Sequence, residues 1–200
     1  MSSRDFILGS VRRNHPAPTP LPELPSFDRS GPSLLAAFTA ALARMGGTLV
    51  QPPERLSLDT FLFERFPHAR VICSATPDVR GTRAIDAVTD PRDLRDVDVG
   101  VVRAAFGVAE TGSVWLSERE FGLNALGFLS QHLVVLLDPQ AIVADLHHAY
   151  RQRGFFEARY AVLMTGPSAT ADIEGVLVRG AQGIRSLTVI PVASATGRPV

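Results

Sequence analysis

Lysine is absent from all 200 residues, so the twenty basic side chains that balance twenty acidic ones are all arginines. That absence excludes a Schiff-base lysine for pyridoxal phosphate or a carbonyl substrate, a Walker A lysine, and a low-pKa amine base. A codon bias toward arginine accounts for the composition itself, and the exclusions hold regardless. Cysteine is nearly missing too: Cys73 stands alone. The chain therefore has no intrachain disulfide, no Cys-x-x-Cys zinc site and no set of four thiolates for an iron-sulfur cluster. Cys73 lies in the apolar run Val71-Ile72-Cys73, which predicts a small buried thiol rather than a nucleophile. A formal net charge of zero offers no broad positive field for a polyphosphate backbone, which disfavours nucleic acid as a partner. No apolar run approaches the ~20 residues that cross a bilayer. Phe6-Ile7-Leu8 is too short for a signal-peptide core and has Arg12-Arg13 on the wrong side. The expectation is a cytoplasmic protein without membrane insertion.

What is present is enough apolar residue for a core: 46% hydrophobic against 20% charged. Prolines 16, 18, 20, 22 and 25 make the stretch from His15 to Pro25 an extended spacer or arm lacking the amide donors of a helix or sheet. Residues 1–31 are accordingly read as a Pro-rich arm, 32–193 as a single domain, and 194–200 as a tail. Within the domain, Leu34, Leu35, Phe38, Leu42 and Met45 recur at helical spacing until Gly46-Gly47 stop them. Thr48 to Val50 reads as a strand, Leu58 to Phe66 as a helix, and Arg70 to Ser74 as a strand. The Arg- and Asp-rich stretch from Pro77 to Asp96 reads as a mobile surface excursion. Alternation of Val97, Val99 and Val101 with polar residues predicts a strand, as do Ser113 to Ser117, Tyr160 to Met164 and Ser186 to Val192. His132 to Leu137 is almost wholly apolar, as in a strand buried on both faces of a parallel sheet. Asp138-Pro139 is expected to open a helix striped by Ile142, Val143, Leu146, Ala149 and Tyr150, and Ala171 to Val178 to form another. Alternating strands and helices predict an α/β domain, a mainly parallel sheet flanked by helices. Its ligands should lie beyond the carboxyl ends of strands, at the loops Ala104 to Gly112 and Thr165 to Asp172.

Both loops carry chemistry. In the second, Gly166, Pro167, Ser168, Thr170, Asp172 and Glu174 run from a strand end into the expected helix. Its glycine, hydroxyls and helix amides could cradle an anion, or Ser168 and Thr170 could simply cap the helix. The loop is neither a P-loop, having no lysine, nor a nucleophile elbow, since Thr170 stands where the second glycine belongs. In the first, Glu110 emerges from an apolar run ahead of Thr111, Gly112 and Ser113. A carboxylate there can serve as base or nucleophile, or can hold the turn by pairing with Arg103 or a neighbouring amide. The histidines offer no metal spacing: His147 and His148 read as a solvated helix face, and His132 as a hydrogen-bonded structural residue.

The segments Phe106-Gly107-Val108-Ala109-Glu110-Thr111-Gly112-Ser113 and Gly166-Pro167-Ser168-Ala169-Thr170-Ala171-Asp172-Ile173-Glu174 together resemble the paired motifs of the lactate-utilisation protein C family, the LUD-domain proteins. With His132-Leu133-Val134-Val135 and Ile142-Val143-Ala144 between them, the resemblance spans roughly residues 34 to 192. It departs where members commonly have arginine at the position of Ala169 and a His-Gly-Pro turn at Gln182-Gly183-Ile184. The resemblance implies a fold related to sugar-phosphate isomerases, CoA-transferases and formyltetrahydrofolate cyclo-ligase. It also implies a subunit or accessory role in L-lactate oxidation beside iron-sulfur partner proteins that carry the clusters, with no cofactor bound by this chain. From the residues themselves, Glu110 is the candidate catalytic residue, and Thr111, Gly112, Ser113, Gly166, Pro167, Ser168, Thr170, Asp172 and Glu174 are the candidates for holding a small anionic ligand, the two acids by accepting from its hydroxyls or from an arginine. Two other readings stand beside this one: a stand-alone enzyme acting through Glu110 on a small acid, CoA ester or sugar phosphate, and a ligand-sensing domain without chemistry.

Overall fold

The computed structural model describes residues 2–17, 19, 20, 22, 33–173, 175–179 and 182–194. The chain divides into two compact units, Met1–Gly31 and Pro32–Val200. The first contains helix α1 (Ser3–Arg13), started by a capping box in which Ser2 Oγ accepts from the Asp5 amide while the Asp5 carboxylate accepts from Ser2 N–H. Sequence reading saw there only a short apolar run. Pro16, Pro20 and Pro22 lie in neither helix nor strand, whereas Pro18 and Pro25 fall outside the described residues.

The second unit begins with α2 (Leu34–Arg44), capped by Ser33 and burying Phe38, Ala41 and Leu42. Then come β1 (Thr48–Leu49), α3 (Leu58–Arg65), β2 (Ile72–Ser74), β3 (Arg83–Ala84), β4 (Val99–Arg103), β5 (Phe106–Val108) and β6 (Ser113–Ser117). Two four-residue helices, α4 (Glu118–Phe121) and α5 (Leu126–Leu129), lead to β7 (His132–Leu137). The chain continues through β8 (Ile142–Val143), α6 (Leu146–Tyr150), α7 (Gly154–Glu157), β9 (Ala161–Met164), β10 (Ala169–Ile173), β11 (Val176–Arg179) and β12 (Ser186–Pro191).

Six strands form one sheet in the order β1-β12-β7-β4-β2-β3, and every neighbouring pair is parallel. The apolar run of β7 follows from its central place. Leu133, Val135 and Leu137 pack on one face with Phe38, Leu42 and Val102, while Val134 and Leu136 pack on the other with Leu62, Val99 and Val101. A strand covered on both faces has no position where water favours a polar side chain. A second sheet, β8-β5-β6-β9, is mixed: β6 runs against β5 and β9, and β8 runs with β5. Its Val114, Leu116 and Ile142 join the layer that contains Phe38 and Val135, so the two sheets share a core through one face of each. Phe106, Val108 and Trp115 turn the other way, against Ala149 and Phe155.

Three expectations need correction. Ala171 to Val178 is not a helix: β10 and β11 form an antiparallel hairpin with Thr170 opposite Val178, consistent with its β-branched residues. The segment after Asp138-Pro139 is a single 3-10 turn, Pro139–Ala141, followed by β8, because Ile142 and Val143 pair with Gly107 and Val108. The stretch from Pro77 to Asp96 is held to the body by Val79, Ile85 and Leu94, all buried, and by the Arg83–Asp96 ion pair. The strand expected from the alternation at Val97 to Val101 is present as β4, in which Val99 to Val102 are all buried.

Candidate functional site

Strands β5, β8 and β9 run in one direction, so the turns that follow them share one edge of the smaller sheet, where β6 also begins. Both loops singled out in the sequence therefore belong to this sheet, not to the large parallel one. With strands ~4.8 Å apart, the ends of β5 and β9 are about 10 Å from each other. The edge joins the loops chemically: the Ser113 hydroxyl makes a close hydrogen bond with that of Thr165, and Thr111 Oγ1 lies 2.7 Å from Ser113 Oγ. Three hydroxyls thus form a chain in which Thr165 is the member sequence reading overlooked.

Gly112 and Gly166 have φ of +70° and +76°, in the left-handed region. A Cβ on Gly112 would collide with the Leu42 backbone nitrogen, and one on Gly166 with the Met45 carbonyl oxygen. These glycines let both turns close on the C-terminal end of α2, which is a packing role. With β10 replacing the expected helix, the described residues of this loop offer no run of helix amides to form the anion cradle. Ser168 instead donates its backbone N–H to the Ile184 carbonyl at 3.0 Å. Pro167 lies beside Gly46, and Asp172 falls within β10; Glu174 lies outside the described residues. Arg179 sits directly across the ladder from Ala169, and its guanidinium covers Gly46. A cation therefore stands next to the Gly166 turn although position 169 itself has none.

Glu110 is half-buried at the end of β5. Its Oε2 accepts from the Leu146 amide at 3.2 Å, at the start of α6, and its own N–H donates to Ala144 O at 3.0 Å. Of the roles left open for this residue, a hydrogen bond to a neighbouring amide is present, and it fixes the carboxylate's position. Next in the chain to Leu146, Asp145 caps α6 and is buried, accepting from His148 N–H at 2.9 Å and sharing a 2.7 Å contact with His148 Nδ1. Burial alone would push the Asp145 carboxyl up, but its hydrogen bonds with His148 and the positive charge of that ring outweigh it and hold the carboxyl below its ordinary value. His148 is thus an oriented imidazole on a helix face, with its side chain still 39% exposed. The Asp145-x-x-His148 spacing, an N-cap with its third following residue, was the readable sign. His132 behaves as expected, with Nδ1 2.8 Å from Ser186 Oγ.

The large sheet has its own edge chemistry. Strand order turns back at β2, which has β3 on one side and β4 on the other, so the switch point lies between β2 and β4. At the carboxyl ends there, Arg103 Nε donates to Asp78 Oδ2 at 2.8 Å, and its Nη1 to the Val192 carbonyl at 3.2 Å. Thr76 donates to the same Asp78 oxygen at 2.6 Å. This pair was not anticipated, because Asp78 and Arg103 lie far apart in sequence and meet only when β2 and β4 pair.

The chain is an α/β domain with a six-stranded parallel sheet and a second, mixed four-stranded sheet. The LUD domain family model matches residues 83–192, more than half of the chain, and the chain belongs to the LUD-domain family. It is 28% identical over 100 residues to the uncharacterized protein NMB1437 of Neisseria meningitidis serogroup B, a match covering 48% of this chain. The matched part is 43% of that relative, so the chain aligns with less than half of its length. A solved DUF162 family protein from Deinococcus radiodurans superposes with a TM-score of 0.59 at 17% identity, covering 80% of this chain and 96% of that one. That likeness establishes the fold. Among the described residues no helix is long and apolar enough to cross a membrane. Cys73 is fully buried, and desolvation raises its pKa, so the one thiol available does not fit a cluster site.

Proposed function

We propose that this chain is a subunit or accessory of an L-lactate oxidation system that works with iron-sulfur proteins. Membership of the LUD-domain family, through the match over residues 83–192, carries this reading. The one buried thiol agrees with it, since clusters held by four thiolates would then reside on partners. Oxidising a 2-hydroxy acid to a 2-keto acid requires a proton acceptor near the hydroxyl and donors for the carboxylate. Glu110, fixed by the Leu146 amide, supplies the first. Thr111, Ser113 and Thr165 supply hydroxyl donors for the small anionic ligand, and Ser168, Thr170 and Arg179 stand on the hairpin side of the same turn.

The test is genetic. In a native host lacking this gene, growth on L-lactate as sole carbon source should fail while growth on pyruvate continues. The full chain should restore growth, and Glu110→Gln should not, although it keeps the side chain's shape and accumulates normally. Unimpaired growth of the deletion strain on L-lactate contradicts the proposal. Restoration by Glu110→Gln removes Glu110 from the chemistry.

A further inference from the structure

A cavity of about 310 Å³ lies at the amino ends of β4, β7 and β12, the end of the parallel sheet opposite Arg103 and Asp78. Its walls include Arg65 at the end of α3, Phe66 and His68 just beyond, Asp98 ahead of β4, His132 at the start of β7, and Arg185 ahead of β12. Its size matches a small bound molecule. We propose that this cavity is a second ligand site that takes a phosphate dianion, free or as the phosphate of a small ester.

The argument begins with charge. Two arginines and two histidines face a single acid. Asp98 already directs Oδ2 at the backbone amides of Arg70 and Val71, at 2.7 and 2.9 Å. Neither Arg65 nor Arg185 has a carboxylate within ion-pairing distance among the described residues. Unpaired guanidiniums around a concave site favour an anion, and their planar forks suit phosphate oxygens.

The second argument is the state of His132. Its ring lies 5.2 Å from that of Phe66, and Nδ1 is engaged with Ser186 Oγ, which leaves Nε2 for a ligand. Burial, then the positive charge of Arg185, lower its pKa, while Asp98 acts in the opposite sense more weakly. A dianion beside His132 would cancel the effect of Arg185 and stabilise the imidazolium, giving Nε2 a proton to donate. Arg65, His68, Asp98 and Arg185 are the charged or titratable groups facing the cavity with it, so ligand binding and proton uptake are coupled through this one ring. The inference draws on Arg65, His132 and Arg185 and does not rest on the proposed lactate role.

The experiment is a side-chain NMR titration of His132 in the full chain, against pH, without and with inorganic phosphate. Phosphate should move the His132 pKa upward in a saturable way, as dianion binding coupled to proton uptake by the ring requires. Arg185→Gln and Arg65→Gln, both exposed and checked for unchanged thermal unfolding, should each weaken phosphate binding about tenfold. Glycerol 3-phosphate binding more tightly than inorganic phosphate identifies an ester as the ligand, and equal binding identifies free phosphate. The proposal is overturned if His132 ignores phosphate, if acetate binds as well as phosphate, or if both arginine variants bind phosphate undiminished.

Discussion

Arg103 ends β4 with its guanidinium divided between the Asp78 carboxylate and the Val192 carbonyl, which ties together three segments of the parallel sheet's carboxyl edge. Both side chains are under a third exposed, so solvent weakens the pair without erasing it. The hydrogen bond from Arg103 is the main cause holding the Asp78 pKa below its ordinary value; burial opposes it, and Thr76 adds to it. A depressed carboxyl stabilises the fold fully above the ordinary carboxylate range and loses that contribution as pH falls through the folded-state pKa. Asp78→Asn should therefore lower stability by about 1 kcal/mol at pH 7, and the difference from the parent should shrink below about pH 4. Urea unfolding at pH 7 and pH 3 measures both. An undiminished difference at pH 3 would show that the side chain acts through shape, not charge.

At the scale of elements, the closest tolerances are where two turns meet α2. Gly112→Ala and Gly166→Ala each put a methyl into the backbone of α2's C-terminal end and demand a left-handed φ from alanine. Each should cost at least about 2 kcal/mol, read as a lower urea midpoint, against a few tenths for an exposed alanine substitution in α7. Elements whose pattern reports their own surroundings were readable beforehand. Helix α2 has an apolar face and a glycine stop, and β7 is apolar because both faces are covered. Elements decided by a partner were not. The run Ile142 to Tyr150 has helical spacing throughout, but Gly107 and Val108 draw Ile142 and Val143 into a strand. Ala169 to Arg179 likewise pairs with itself as a hairpin once its β-branched residues outweigh the helix-start pattern. The same distinction governs the site. Glu110 and its hydroxyl neighbours were visible as a local motif, whereas Thr165, Arg103–Asp78 and the Asp145–His148 pair depend on what folding brings beside them.

For the whole molecule, burial is concentrated in one part of the chain. The buried hydrophobic residues run from Phe38 to Ile190, while α1 buries none of its own. Deleting residues 1–31 should leave the melting temperature within a few degrees of the full chain, as measured by calorimetry; a larger fall would show that this segment contributes packing. The domain that remains holds a fixed carboxylate and a hydroxyl edge, and its one thiol is buried, so under the proposed function iron-sulfur clusters would be held by partners. The most direct measurement is affinity purification of the tagged full chain from native cells grown on L-lactate, with assay of L-lactate-dependent reduction of an artificial electron acceptor. Co-purification of iron-sulfur proteins together with that activity is the result expected. Recovery of the chain alone, with no cluster absorbance and no lactate-dependent reduction in the eluate, would contradict the account.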